Sequence, residues 1–221
     1  MSGQTAIIVG ATGAIGRKLT PLIVASKRYA KLIILHRHAT PFANLDKVDE
    51  RLFDFRSLST LPVKEPVEDV FCCVGTTQKK AGTLDAFQHV DRDIPVGLAR
   101  WAAAHQAGTF VTVSAIGASP KSPSPYMRTK GEMEEGVSSA GVRSAYIMRP
   151  SLLRGERDEF RLAEEVGNAA LAVLGPIMIG PFKKYRSVRT ETVAKAMLVC
   201  AKMSEPGVHI VGSDTIQELV V

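Results

Sequence analysis

Five short apolar runs rich in β-branched residues, Thr5–Val9, Leu32–Leu35, Asp69–Val74, Thr109–Val113 and Ala145–Met148, punctuate the chain between longer stretches of mixed polarity. Runs without polar alternation belong to strands covered on both faces, and gaps long enough for a crossover helix point to a parallel sheet. The same rhythm places one more strand before Asp54. Helical periodicity covers Ile15–Ser26, Leu84–Gln106 and Tyr126–Ser139, each ending near small residues or a glycine. The Ser/Pro-rich segment Gly117–Pro125 suits neither helix nor central strand and reads as a surface loop. Beyond Pro150 the pattern predicts a helix over Glu156–Leu174, another over Thr190–Met203 and a last strand at Val208–Val211. The expected architecture is one α/β domain over 1–221, a doubly wound parallel sheet, with residues 151–221 contributing a small substrate cap.

Composition agrees with that architecture. At 221 residues, 45% hydrophobic and 23% charged, the chain can bury a full α/β core. The first residues enter an apolar strand without a basic segment or cleavage site, so secretion is not expected and a cytoplasmic location is. The longest apolar stretch, Val166–Pro181, is broken by Asn168, Gly175 and Pro176 and falls short of the ~20 apolar residues of a spanning helix. Three cysteines, with Cys72 and Cys73 adjacent, form neither a disulfide framework nor a metal-binding spacing and read as core. The net charge of +6 suits an anionic ligand. The basic cluster Lys183–Arg186 is read as a solvated face, not a nucleic-acid site, because no nucleic-acid motif accompanies it.

Thr5–Val9 runs directly into Gly10-Ala-Thr-Gly-Ala-Ile-Gly16 and then a helical pattern. Glycine-rich turns are common, but strand, turn and helix in this order form the Rossmann setting for a dinucleotide. Gly10, Gly13 and Gly16 let the chain bend, let backbone approach a pyrophosphate and let helix pack on strand; Thr12, Ala14 and Ile15 line the same turn. The helix start adds free N–H groups and a partial positive charge. The next strand ends Leu35-His36-Arg37-His38, with no carboxylate to hold the ribose diol of NAD. Arg37, with Arg17 on the first helical turn, favours a 2′-phosphate and hence NADP(H). Asp54 is placed to meet the adenine amino group, and Val74, Gly75 and Thr76 to approach the cofactor with backbone.

Ser114 closes the run Val111-Thr-Val, and twelve residues on, Tyr126-Met-Arg-Thr-Lys130 opens a helix. Tyr126 and Lys130, at i and i+4, share one helical face. A phenol has a pKa of about 10, and a nearby ammonium lowers it. Ser114 would then hold a substrate carbonyl, Tyr126 exchange the proton, and Lys130 hold the nicotinamide ribose as well as the phenol.

These residues together resemble the short-chain dehydrogenase/reductases of the atypical, NAD(P)-binding kind. Phe71-Cys-Cys-Val-Gly-Thr-Thr77, Val90-Asp-Arg-Asp93 and Tyr126-x-x-x-Lys130-Gly-Glu132 resemble the Tat-interactive oxidoreductase-like branch in particular. The resemblance implies that Thr12–Ile15, Arg37, Val74, Gly75, Tyr126 and Lys130 line the cofactor site, joined from the C-terminal side by Leu153 and Arg161. It also implies pairing through the fourth and fifth helices, the arrangement of many relatives. One departure stands out: where many relatives carry a proton-relay Asn, this chain has Asp91 and Asp93. The expectation is an NADP(H)-dependent oxidoreductase acting on a small carbonyl or alcohol. Its alternative is a non-catalytic NADP(H) sensor with a protein partner. An epimerase or dehydratase uses the same residues but normally needs a larger sugar-nucleotide domain.

Overall fold

β1 (Gln4–Val9) lies between β2 (Tyr29–His36) and β4 (Asp69–Cys72), and every strand pairing in the main sheet is parallel. The computed structural model describes residues 3–154 and 187–220. With β3 (Val48–Leu52), β5 (Thr109–Val113), β6 (Ser144–Arg149) and β9 (Gly207–Gly212), the seven-stranded order is β3-β2-β1-β4-β5-β6-β9. The chain therefore winds outward from β1 in one direction and, after crossing back to β4, in the other. The crevice where the direction reverses opens at the carboxyl ends of β1 and β4, the place where such sheets bind ligands.

The apolar runs form central strands because both faces are covered. Ile7, Val9, Val70 and Ile147 pack beneath α4 (Ile94–Ala104) and α5 (Pro125–Ser138). Ile8, Ile34, Phe71 and Met148 meet α1 (Gly16–Ala25), α6 (Thr190–Met203) and α7 (Ser213–Glu218) on the other face. The last strand joins the sheet as its edge, and α6 lies against α1. Leu153–Arg154 (β7) and Val188–Arg189 (β8) form a separate two-stranded ladder. The expected helix Glu156–Leu174, and with it residues 155–186 of the expected cap, lies outside the described residues.

Three features depart from the sequence pattern. The apolar run ending at Val74 leaves the sheet after Cys72, so Cys73 and Val74 already belong to the crevice. A short helix α2 (Gln78–Ala81) follows. The single helix expected over Leu84–Gln106 is divided into α3 (Leu84–Gln88), a π-helical turn over His89–Asp93, and α4. Pro95 explains the break, since it has no N–H to offer the Asp91 carbonyl and its ring crowds that position. The Ile94 N–H bonds instead to the His89 carbonyl five residues back. Such single π turns collect at functional sites.

Candidate active site

The glycine turn is built against the end of β4. Gly10 sits at φ +83°, a left-handed conformation, and a Cβ there would come within 2.6 Å of the Cys73 carbonyl carbon. A Cβ on Gly16 would strike the Gly10 carbonyl oxygen. Both positions are fixed as glycine by the turn's own packing. Gly13 differs: its N–H donates to the Gly10 carbonyl at 3.0 Å, and a Cβ would find the Gly10 and Cys73 oxygens at 3.3 and 3.5 Å. Thr12 and Gly13 are exposed, Ala14 is half-buried, and Ile15 enters the core. The first turn of α1 carries no acidic residue, and Arg17 Nη2 donates to the Thr12 carbonyl at 3.1 Å. This is a bare, positively polarised cradle that fits a diphosphate.

At the far end, β2 finishes at His36, and Arg37 and His38 follow it into solvent. A carboxylate does approach here, from β3 and not from β2: Glu50 accepts a hydrogen bond from Thr40 Oγ1 and lies 3.7 Å from His36 Nε2. Asp54 is exposed, and the Arg56 guanidinium grips both its oxygens, with Nε at 3.1 Å from each. That grip holds its carboxyl below the usual range. Neither Glu50 nor Arg56 stands out in the sequence, because each matters only through a partner brought in by the fold.

The catalytic candidates meet where β4, β5, α5 and the π turn converge. Lys130 Nζ, almost wholly buried, lies 2.8 Å from Asp91 Oδ1 and donates to the Val113 carbonyl at 3.2 Å. Asp91 Oδ2 accepts the Thr76 N–H at 2.8 Å. One carboxylate thus ties the loop after β4 to the lysine, with Gly75 beside it: a Cβ there would sit in ordinary contact, 3.7 Å from Asp91 Oδ1. Burial works against the ammonium, but Asp91, by charge and by hydrogen bond, and its other neighbours outweigh it, so the Lys130 pKa is held above its ordinary value. Asp93 is exposed and bonds Arg92 Nε at 2.8 Å, leaving Asp91 as the acidic residue inside the site.

Ser114 follows Val113, and its N–H is fixed on the Met148 carbonyl at 2.7 Å. Its Oγ is buried without a hydrogen-bond partner among the described residues. A buried hydroxyl left unpaired costs about 1–3 kcal/mol, a cost that a ligand oxygen removes. Tyr126, half-buried one turn above Lys130, stacks on Phe87 of α3 with ring centroids 5.8 Å apart. Phe87 carries no signal of its own; only the fold makes it the wall of the phenol. Val74 is half-buried and packs on the core, and Gly75 is exposed. Leu153 pairs with Val188 and packs against the face that holds α1. Arg161 lies outside the described residues.

Comparison with known proteins agrees with this geometry. A family model described as NAD(P)H-binding matches residues 10–202. The chain is 32% identical to "Protein FMP52, mitochondrial" of Candida glabrata, covering 100% of this chain and 97% of that one. It is 30% identical to "Protein HTATIP2" of Rattus norvegicus, over 90% of this chain and 81% of that one. Among solved structures it is similar to an oxidoreductase of the short-chain dehydrogenase/reductase family from Burkholderia thailandensis, with a TM-score of 0.69, 17% identity and coverage of 98% and 94%. The fungal relatives overturn the cytoplasmic expectation, because several carry mitochondrial in their names. The reading of the first residues bore on secretion alone and did not separate cytosol from organelle. A cradle at the sheet's reversal point, a match across most of the chain and full-length relatives together make this chain a member of the NAD(P)H-binding family, with the fold of a short-chain dehydrogenase/reductase.

Proposed function

We propose that the protein is an NADP(H)-dependent oxidoreductase acting on a small carbonyl or alcohol. The observation that carries this reading is the buried Ser114 Oγ, unpartnered among the described residues, one residue after the Val113 carbonyl that Lys130 bonds at the end of β5. A chain that only sensed the cofactor would gain nothing from that hydroxyl. In this reading Ser114 donates its hydrogen bond to the substrate oxygen, and Tyr126 gives that oxygen a proton or takes one from it. Lys130 has three N–H bonds; Asp91 and Val113 account for two, and the third serves the ribose of the nicotinamide. A bound nicotinamide supplies or takes up the hydride. Arg17 and Arg37, flanking the adenosine end, favour the 2′-phosphate form through charge-assisted hydrogen bonds.

The test is a screen of small aldehydes, ketones and quinones with NADPH, following loss of its absorbance. Turnover of at least one class is expected. If NADPH binds tightly, nothing is reduced, and binding changes affinity for a protein partner, the sensor reading replaces this one.

A further inference from the structure

We propose that Asp91 is a positioning residue that cancels the charge of Lys130, so that Tyr126 keeps its proton at neutral pH and the site is set for carbonyl reduction. The inference rests on the Ser114, Tyr126 and Lys130 assignment above. It begins with the backbone: the π turn over His89–Asp93, just ahead of Pro95, holds Asp91 as its buried residue. Thr76 N–H and Lys130 then hold its two oxygens at 2.8 Å each. One oxygen accepts from a backbone N–H and the other pairs with the ammonium.

An isolated ammonium one turn from a phenol favours the phenolate and lowers its pKa. Here the ammonium and a buried carboxylate form a neutral pair, and a pair's field falls off faster than a charge's. The groups that the described residues bring to neighbouring elements add no unpaired buried cation. From β4 comes the Cys72 thiol, which burial pushes up to about 11 and so leaves uncharged. From β5 comes the neutral Ser114, and from α3 the apolar Phe87 ring, with Asp85 exposed beyond it. On α5, Glu132 is paired with Arg92 at 2.8 Å, and Arg128 donates to the Ser122 carbonyl at 2.9 Å. On the π turn, His89 lies 3.9 Å from Asp93, and the α2 lysines, Lys79 and Lys80, are exposed. The phenol therefore stays in the form that donates. As a carbonyl carbon receives hydride, its oxygen takes the Tyr126 proton to become the alcohol, and the phenolate is reprotonated from solvent. The reverse reaction needs the phenolate first and becomes effective only at higher pH.

The test reads Tyr126 directly and needs no substrate. The chain has four tyrosines, so isotope-labelled tyrosine observed by NMR at Cζ, with Tyr126→Phe for assignment, isolates the signal. In the wild type the signal should hold its phenol position to a pH of about 9 or beyond. In Asp91→Asn, nearly the same shape without the charge, the midpoint should fall by roughly one to two units. A merely structural Asp91 would leave the midpoint where it was, and that result overturns the proposal. A wild-type midpoint near neutrality overturns it too, and decides the matter even if Asp91→Asn fails to fold. Failure of the oxidoreductase reading shows up separately, as wild-type protein that turns over no carbonyl, and leaves this titration unchanged.

Discussion

Replacing Lys130 with Met keeps most of the side chain's volume and removes its charge, leaving Asp91 buried with its counterion gone. At 2.8 Å and an effective dielectric constant of ~20, the pair's gross attraction is about 6 kcal/mol, offset in part by desolvation of both ions. The stranded carboxylate can escape by taking up a proton, which limits the cost. Moving a carboxyl with a reference pKa of about 3.9 to the protonated form at pH 7 costs about 4 kcal/mol, at about 1.4 kcal/mol per unit. Lys130→Met should therefore lose about 3–4 kcal/mol in urea unfolding at pH 7. Supplying the proton that the stranded carboxylate needs favours the folded state. The deficit should thus shrink to roughly 1–2 kcal/mol at pH 5 and grow again as pH rises. Adding Asp91→Asn should recover more than about 1 kcal/mol, because the stranded charge is gone. A pH-independent loss under about 1 kcal/mol, or strict additivity in the double variant, would refute the buried pair.

Two further outcomes bear on the cofactor. Gly13→Val should leave circular dichroism and Tm close to wild type, because Gly13 is not at positive φ and a Cβ there needs only small shifts. It should abolish detectable NADPH binding in a fluorescence titration, and unchanged affinity would mean that the turn is not the phosphate cradle. Wild type should bind NADPH more tightly than NADH, and Arg17→Ala with Arg37→Ala should bring the two affinities together, each charged hydrogen bond being worth about 1.5–3 kcal/mol. Equal affinities in the wild type would remove the basis for the 2′-phosphate assignment.

What could be read from the sequence follows from how local each cause is. The central strands were legible because double burial leaves an unbroken apolar run, as in Ala6–Val9 and Leu32–Leu35. β3 has no such run; as an edge strand it keeps Asp49, Glu50 and Arg51 half-exposed, and Arg51 and Asp49 pair with one another. The glycine turn and the Tyr126/Lys130 spacing are local signals, and they lie where the sheet reverses and where β5 ends. The break in the long helix was hidden in plain view, since Pro95 stands four residues after Asp91 and helical periodicity runs through both. Which of Asp91 and Asp93 faces the lysine needs the π turn, a change of register that composition does not encode. Phe87 beneath Tyr126 and Arg56 on Asp54 are partners made by tertiary packing, so no spacing rule reaches them.

Steady-state NADPH oxidation by wild type and Tyr126→Phe, on a carbonyl found by the screen, tests whether Tyr126 exchanges a proton with a substrate held by Ser114. Loss of the hydroxyl alone should lower kcat by about 10²–10⁴ and leave NADPH affinity nearly unchanged, because the phenol meets the substrate and Lys130 also meets the cofactor. Wild-type turnover in Tyr126→Phe would place the proton donor elsewhere and contradict the account.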